Sequence, residues 1–195
     1  FGTVATVKTE TYTGWKLNPT LTVSTTGNGG GTINSIYPAS GLITCSNPQQ
    51  PNDICATTIS SERDVKLIAS PDATSLFTGW SLGSCPGTGP CMITVSLDAA
   101  ITGTFTKMPP IKVVSTGYQP TYHTTFPDAF NTARENSIIQ LQEALFESSL
   151  LFNLPFPVSI LGGFDAGFTM QNGFSTLPGL TISSGSSTID RLIVK

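Results

Sequence analysis

Charge is scarce in this chain. Asp, Glu, Lys and Arg make up 11% of the 195 residues, where an ordinary soluble domain carries about a quarter. Nine Lys and Arg stand against twelve Asp and Glu, for a net charge of −3. No basic stripe is available to neutralise phosphates, so no nucleic-acid partner is expected. There is no run of about 20 apolar residues, which argues against a transmembrane segment. Histidine is nearly absent: His123 alone accompanies four cysteines, and neither cysteine pair has C-x-x-C spacing. No metal site, covalent haem or other cofactor is therefore expected. A cleavable leader is also missing at Phe1, so an exported protein would be seen here in its mature form.

What is there is Thr, Ser, Asn, Gln and Gly, which must supply the solubility that charge does not. Such surfaces suit β proteins that face the outside of a cell. Cys45 and Cys55 flank a Pro/Asn/Gln loop, and Cys85 and Cys91 flank Pro-Gly-Thr-Gly-Pro. Two short-range disulfides, Cys45–Cys55 and Cys85–Cys91, are the favoured reading. Buried thiols are the alternative, but Pro- and Gly-rich loop tips rarely bury one. Loops of this length would each contribute about 2–3 kcal/mol on the chain-entropy account. Disulfides belong to oxidising compartments, so an extracellular or cell-surface location is expected.

Residues 3–17 alternate. Ala5, Val7, Trp15 and Leu17 fall on one face, with Lys8, Glu10 and Lys16 on the other. This is a strand pattern too rich in Thr to bury a core by itself. Asn18-Pro19 ends it. Residues 1–20 are read as a strand-like arm that needs another sheet to lie on. Val4, Ala5, Val7, Tyr12, Trp15 and Leu17 are its candidate intermolecular contacts, with Trp15 the anchor.

Beyond the arm, short alternating segments recur between turn signals: Leu21–Ser24, Thr32–Ile36, Val65–Ala69, Leu76–Trp80, Met92–Leu97 and Ile101–Phe105. Their spacing predicts a small all-β domain. Gly27-Asn-Gly-Gly-Gly31 is read as a hairpin turn joining the first two, and Trp80 as a core residue. The order Leu21-Thr-Val-Ser, Gly27-Asn-Gly-Gly-Gly-Thr, the first Cys pair, Val65-Lys-Leu-Ile-Ala-Ser-Pro, Phe77-Thr-Gly-Trp, Cys85 to Cys91, Ile93-Thr-Val and Ile101-Thr-Gly-Thr-Phe105 resembles the bacterial repeat domain of cell-surface proteins, relatives of divergent internalin-type B repeats. The resemblance covers about residues 21–106, with one departure, the insert Ser46–Ile54. It implies an extracellular β module used as spacer or interaction surface, without catalytic residues.

Residues 107–116, opening on Lys107-Met-Pro-Pro110, are read as a stiff linker. Phe126–Asn136 predicts one helix, with Pro127 in its first turn and Phe126, Phe130 and Ala133 on one face. The segments 138–142, 150–152, 158–161, 180–182 and 188–194 then predict a parallel β-helix of few coils. Residues 140–153 also have helix propensity, which leaves strand or helix open there. Residues 117–195 resemble the C-terminal β-helix-like modules of exported bacterial proteins, running from a helix through a strand to Leu161-Gly-Gly-Phe-Asp165. The fold class expected is all-β: a small β-sandwich or repeat module, then a short parallel β-helix-like module with one capping helix.

Several residue sets invite a catalytic reading. Gly79-Trp-Ser81-Leu-Gly83 fits G-x-S-x-G, with Asp98 and His123 following in hydrolase order. That chemistry needs a strand-to-helix elbow, and a Pro/Gly loop follows Ser81 instead. Gly27–Gly31 has neither the helix nor the Lys of a phosphate loop. Glu143, Glu147, Asp165 and Asp190 show no spacing that selects an acid–base pair. His123 is read as exposed. No enzyme and no catalytic residue is expected. The leading expectation is a structural subunit of an extracellular filament or surface assembly, its arm donated to a neighbouring copy of the same chain. The alternative is an adhesin that binds another surface protein or carbohydrate through loops 46–54 and 162–179, with Phe164, Phe168 and Phe174 exposed.

Overall fold

The computed structural model describes residues 18–60 and 62–195. They divide into two compact units, one holding residues 18–72 and 77–106, the other Ala73–Leu76 and Lys107–Lys195. The fold is all-β, with one short helix among the described residues.

β1 (Thr20–Thr26), β4 (Ala56–Thr58), β6 (Ser75–Trp80, in the first unit from Phe77) and β8 (Ala99–Lys107, in the first unit to Thr106) form one sheet in the order β4-β1-β8-β6. The second sheet, β3-β2-β5-β7, is made from β2 (Gly31–Tyr37), β3 (Thr44–Asn47), β5 (Arg63–Pro71) and β7 (Cys91–Val95). Alternation decides which faces turn inward: Leu21 and Val23 on β1 are buried while Thr22 and Ser24 are exposed. Val65 and Leu67 are likewise buried on β5, with Lys66 and Ile68 half-buried. Leu21, Ile33, Leu67, Ile101 and Phe105 are fully buried between the sheets. Each such side chain contributes about 1.5–3 kcal/mol by leaving water. Trp80 packs at the margin of this core, its ring edge-on to Phe77 at 4.8 Å and its indole N–H donated to the Gly89 carbonyl at 2.8 Å.

One expectation fails here. The Gly27–Gly31 segment is not a hairpin turn, because β1 and β2 lie in different sheets and β1 runs parallel to β8. The glycines serve a crossing. Gly27 has φ +97°, and any Cβ there would collide with the Phe105 carbonyl. The Gly29 N–H donates to that same carbonyl at 3.0 Å. Close backbone approach, rather than hairpin geometry, is what the glycines allow.

The disulfides explain how the two sheets are held at their margins. Cys45 on β3 is bonded to Cys55, just before β4, and Cys85, after β6, is bonded to Cys91 on β7. Each bond ties an edge strand of one sheet to the segment flanking an edge strand of the other. The insert between the first pair is ordered by Asp53, whose carboxylate accepts from the Ser46 and Gln50 amides, both at 2.8 Å, and from the Ser46 hydroxyl at 3.0 Å.

The second unit opens on β9 (Ile111–Val114) and β10 (Thr121–His123), an antiparallel pair. Residues 111–114 were expected to belong to a linker. They form a strand instead, since Ile111 and Val113 are buried and β9 ladders onto β11 (Ile138–Gln142). The helix α1, Phe126–Thr132, stops short of the expected Asn136, because Ala133 is already extended at ψ 148°. Thr125 caps its start and Asp128 lies in its first turn. Phe126, Ala129 and Phe130 turn inward.

From β11 the chain coils. β11, β13 (Val158–Phe164) and β16 (Ser187–Asp190) stack in parallel on one face. Leu145 bridges Thr176 of β14 (Ser175–Leu177), which pairs in parallel with β17 (Leu192–Val194) on a second face. On the third, β12 (Leu150–Phe152) pairs in parallel with β15 (Leu180–Ile182). Residues 140–153 are thus strand and turn, not helix. Their donors go to the next coil: Glu143 N–H to Phe164, Phe146 to Thr176 and Leu150 to Gly179. Ile139, Leu141, Leu150, Phe152, Ile160 and Leu177 fill the interior of the coils.

Candidate functional site

The candidate contact residues Val4, Ala5, Val7, Tyr12, Trp15 and Leu17 lie outside the described residues. All four cysteines are in disulfides. The polar atoms of the G-x-S-x-G reading have other tasks. Ser81 Oγ accepts the Thr102 N–H at 2.8 Å, and Asp98 accepts the Thr20 N–H at 2.7 Å. His123 is half-buried on β10, not exposed as read, and its Nε2 lies 2.8 Å from the Thr121 hydroxyl and 2.9 Å from that of Thr132. Burial lowers its pKa below the usual histidine value against the opposing charge of Asp128, which favours the neutral ring.

Loop 162–179 differs from the expected aromatic display. Phe164 and Phe168 are buried, and only Phe174 of the three is exposed. Phe168 takes φ +56°, which turns its ring inward against Phe164 and Tyr122, with Lys112 Nζ 5.5 Å from its centre. Asp165 fastens the turn by accepting the Thr169 hydroxyl at 2.6 Å and the Thr169 N–H at 2.7 Å, and these bonds hold its pKa below the usual value. The loop is an excursion of the second coil between β13 and β14, anchored by its own aromatics.

The most conspicuous surface was not singled out from sequence: the last coil. Inward-pointing positions stack in register along this unit, and their exposure changes at its end. Phe152 is fully buried, but Ile182, stacked on it, is 48% exposed. Leu177 is fully buried, and Val194, stacked on it, is 50% exposed. Ile160 is buried and Ile189, stacked on it, is only half-buried. At the other end, α1 and the antiparallel pair β9–β10 cover the first coil. Among the described residues no strand pairs with the outer edges of β15, β16 or β17. Main-chain donors and acceptors of three short parallel strands therefore stand beside exposed aliphatic side chains, which is the composition of a strand acceptor. The signal was present in the sequence, since Leu180, Ile182, Ile189, Leu192 and Val194 continue the inward pattern of the earlier coils. Seeing it requires the register, which the uneven coil lengths conceal.

Among the described residues, no cluster of His, Cys, Asp or Glu could hold a metal ion, and no helix is long and apolar enough to cross a membrane. No family model, curated protein or solved structure matches this chain.

Proposed function

We propose that this chain is a structural subunit of an extracellular bacterial filament or surface assembly, in which residues 3–17 of one copy add as a strand to the open last coil of another. The observation that carries the reading is the loss of burial along the stacked positions, from Phe152 to Ile182 and from Leu177 to Val194. Main-chain pairing would supply affinity, and alternate side chains of the arm would fix the register. Donor and acceptor are different surfaces, so a heterologous contact between them propagates head to tail wherever the rotation between copies does not close a ring. The first unit serves as a spacer, in keeping with its resemblance to bacterial repeat domains. Its two disulfides suit an oxidising environment.

Deletion of residues 1–17 tests this. The truncated chain is expected to remain a folded monomer at concentrations where the full chain forms oligomers, as read by analytical ultracentrifugation. A synthetic peptide of residues 1–17 should then stop growth of the full chain. Normal assembly of the truncated chain, or its unfolding, would sink the donation mechanism.

A further inference from the structure

The second unit also contains a cleft of ≈ 370 Å³ at the C-terminal end of α1. Its walls carry Tyr118, Gln119, Thr121, Asn131, Thr132 and Arg134. We propose that this cleft binds a saccharide bearing a carboxylate, a uronate unit of an acidic polysaccharide.

Arg134 supplies the central argument. Its guanidinium lies 4.1 Å from the centre of the Tyr118 ring. A guanidinium held on an aromatic face keeps its N–H donors in its own plane, free to make a two-pronged bond to a carboxylate. Among the described residues no carboxylate pairs with this group. The backbone on either side is fixed: the Arg134 N–H donates to Ser137 Oγ at 2.8 Å, and Ser137 N–H returns a bond to the Arg134 carbonyl at 3.0 Å. The arginine is thus placed on the cleft without an internal counter-charge.

The remaining walls suit hydroxyl groups. Gln119 and Asn131 bring side-chain amides that have no hydrogen-bond partner among the described residues. Each amide can donate and accept, as a ring of vicinal hydroxyls requires. The hydroxyls of Thr121 and Thr132 are held by His123 Nε2 behind them, and Arg134 is the one cationic side chain among the cleft's lining residues, which disfavours a multiply charged anion such as phosphate. One cation, one aromatic ring and two amides match a singly charged sugar better than a simple inorganic ion. The volume lies in the usual range for small-ligand sites. This assignment does not rest on the assembly reading, because none of these residues belongs to β15, β16 or β17.

Calorimetric titration of the full chain with a galacturonate trisaccharide, against the neutral galactose trisaccharide, tests it. The acidic sugar is expected to bind about tenfold tighter, the usual worth of a charged hydrogen bond. Arg134→Gln should erase that preference and Tyr118→Ala should weaken both sugars, with unchanged circular dichroism. Amide-shift perturbations in the unmodified chain should gather at residues 118–121 and 131–134, which keeps the test open if a variant misfolds. Equal affinity for both sugars, absence of binding at about 10 mM, perturbations elsewhere, or acetate binding as tightly as the trisaccharide would each overturn the proposal.

Discussion

Single carboxylates do the positioning in the loops of this charge-poor chain. Asp53 gathers three donors from an insert that has no core of its own, and hydrogen bonding from Gln50 N–H is the chief reason its pKa falls below 3.8. A group whose folded pKa is depressed adds stability above its unfolded pKa, and that stability is lost as pH falls through the folded value. The insert should therefore hold its amide protection at pH values above the ordinary 3.8 and lose it progressively as pH falls below that through the depressed folded value, while the sandwich core stays protected. Asp53→Asn keeps the shape but weakens the acceptor, so it should speed hydrogen exchange at Ser46 and Gln50 even at neutral pH. Protection factors at those two amides that are indifferent to both pH and substitution would show that the Cys45–Cys55 bond alone orders the insert.

At the level of strands and turns, periodicity was legible and partnership was not. Alternation in Leu21–Ser24, Val65–Ala69 and Ile101–Phe105 marks buried faces because side chains on a strand point in opposite directions at each step. It does not say which sheet a strand joins, which is why Gly27–Gly31 reads as a hairpin turn until β1 is found beside β8. Ile111–Val114 was hidden among prolines and lysines, and its membership of the ladder depends on β11, far along the chain. Cysteine spacing, by contrast, is local information, and the pairings it favours over buried thiols are the ones found. Since each bond joins the margins of the two sheets, removing one should loosen a margin rather than a single loop. Gently purified protein should show no free thiol on alkylation and mass analysis. Cys45→Ala with Cys55→Ala should lower stability by about 2–3 kcal/mol in urea denaturation. A change below about 0.5 kcal/mol would mean that the β3 and β4 margin is held by its ladders alone.

For the whole chain, the question is whether its open coil has a partner. Unpaired strand edges beside exposed aliphatics template association, and among the described residues the coil of β15, β16 and β17 carries both. Ile182 and Val194 allow this to be tested without disturbing the body. Both are about half exposed already, so replacing either with Lys should cost the monomer no more than about 0.5 kcal/mol. In an assembly the same positions would be covered, and a buried unpaired ammonium there would cost several kcal/mol, roughly a hundredfold or more in association. Ile182→Lys and Val194→Lys should therefore yield monomers of near-parental melting temperature, while Ile182→Val assembles as the parent does. Light scattering over a concentration series reads the difference. If both lysine variants assemble as the parent does, growth uses another surface. If the parent stays monomeric at every concentration while residues 1–17 resist proteolysis, the arm lies on its own chain and the filament reading fails. The two lysine substitutions thus probe the acceptor as the deletion probes the donor, and arm donation requires assembly to be lost when either is changed.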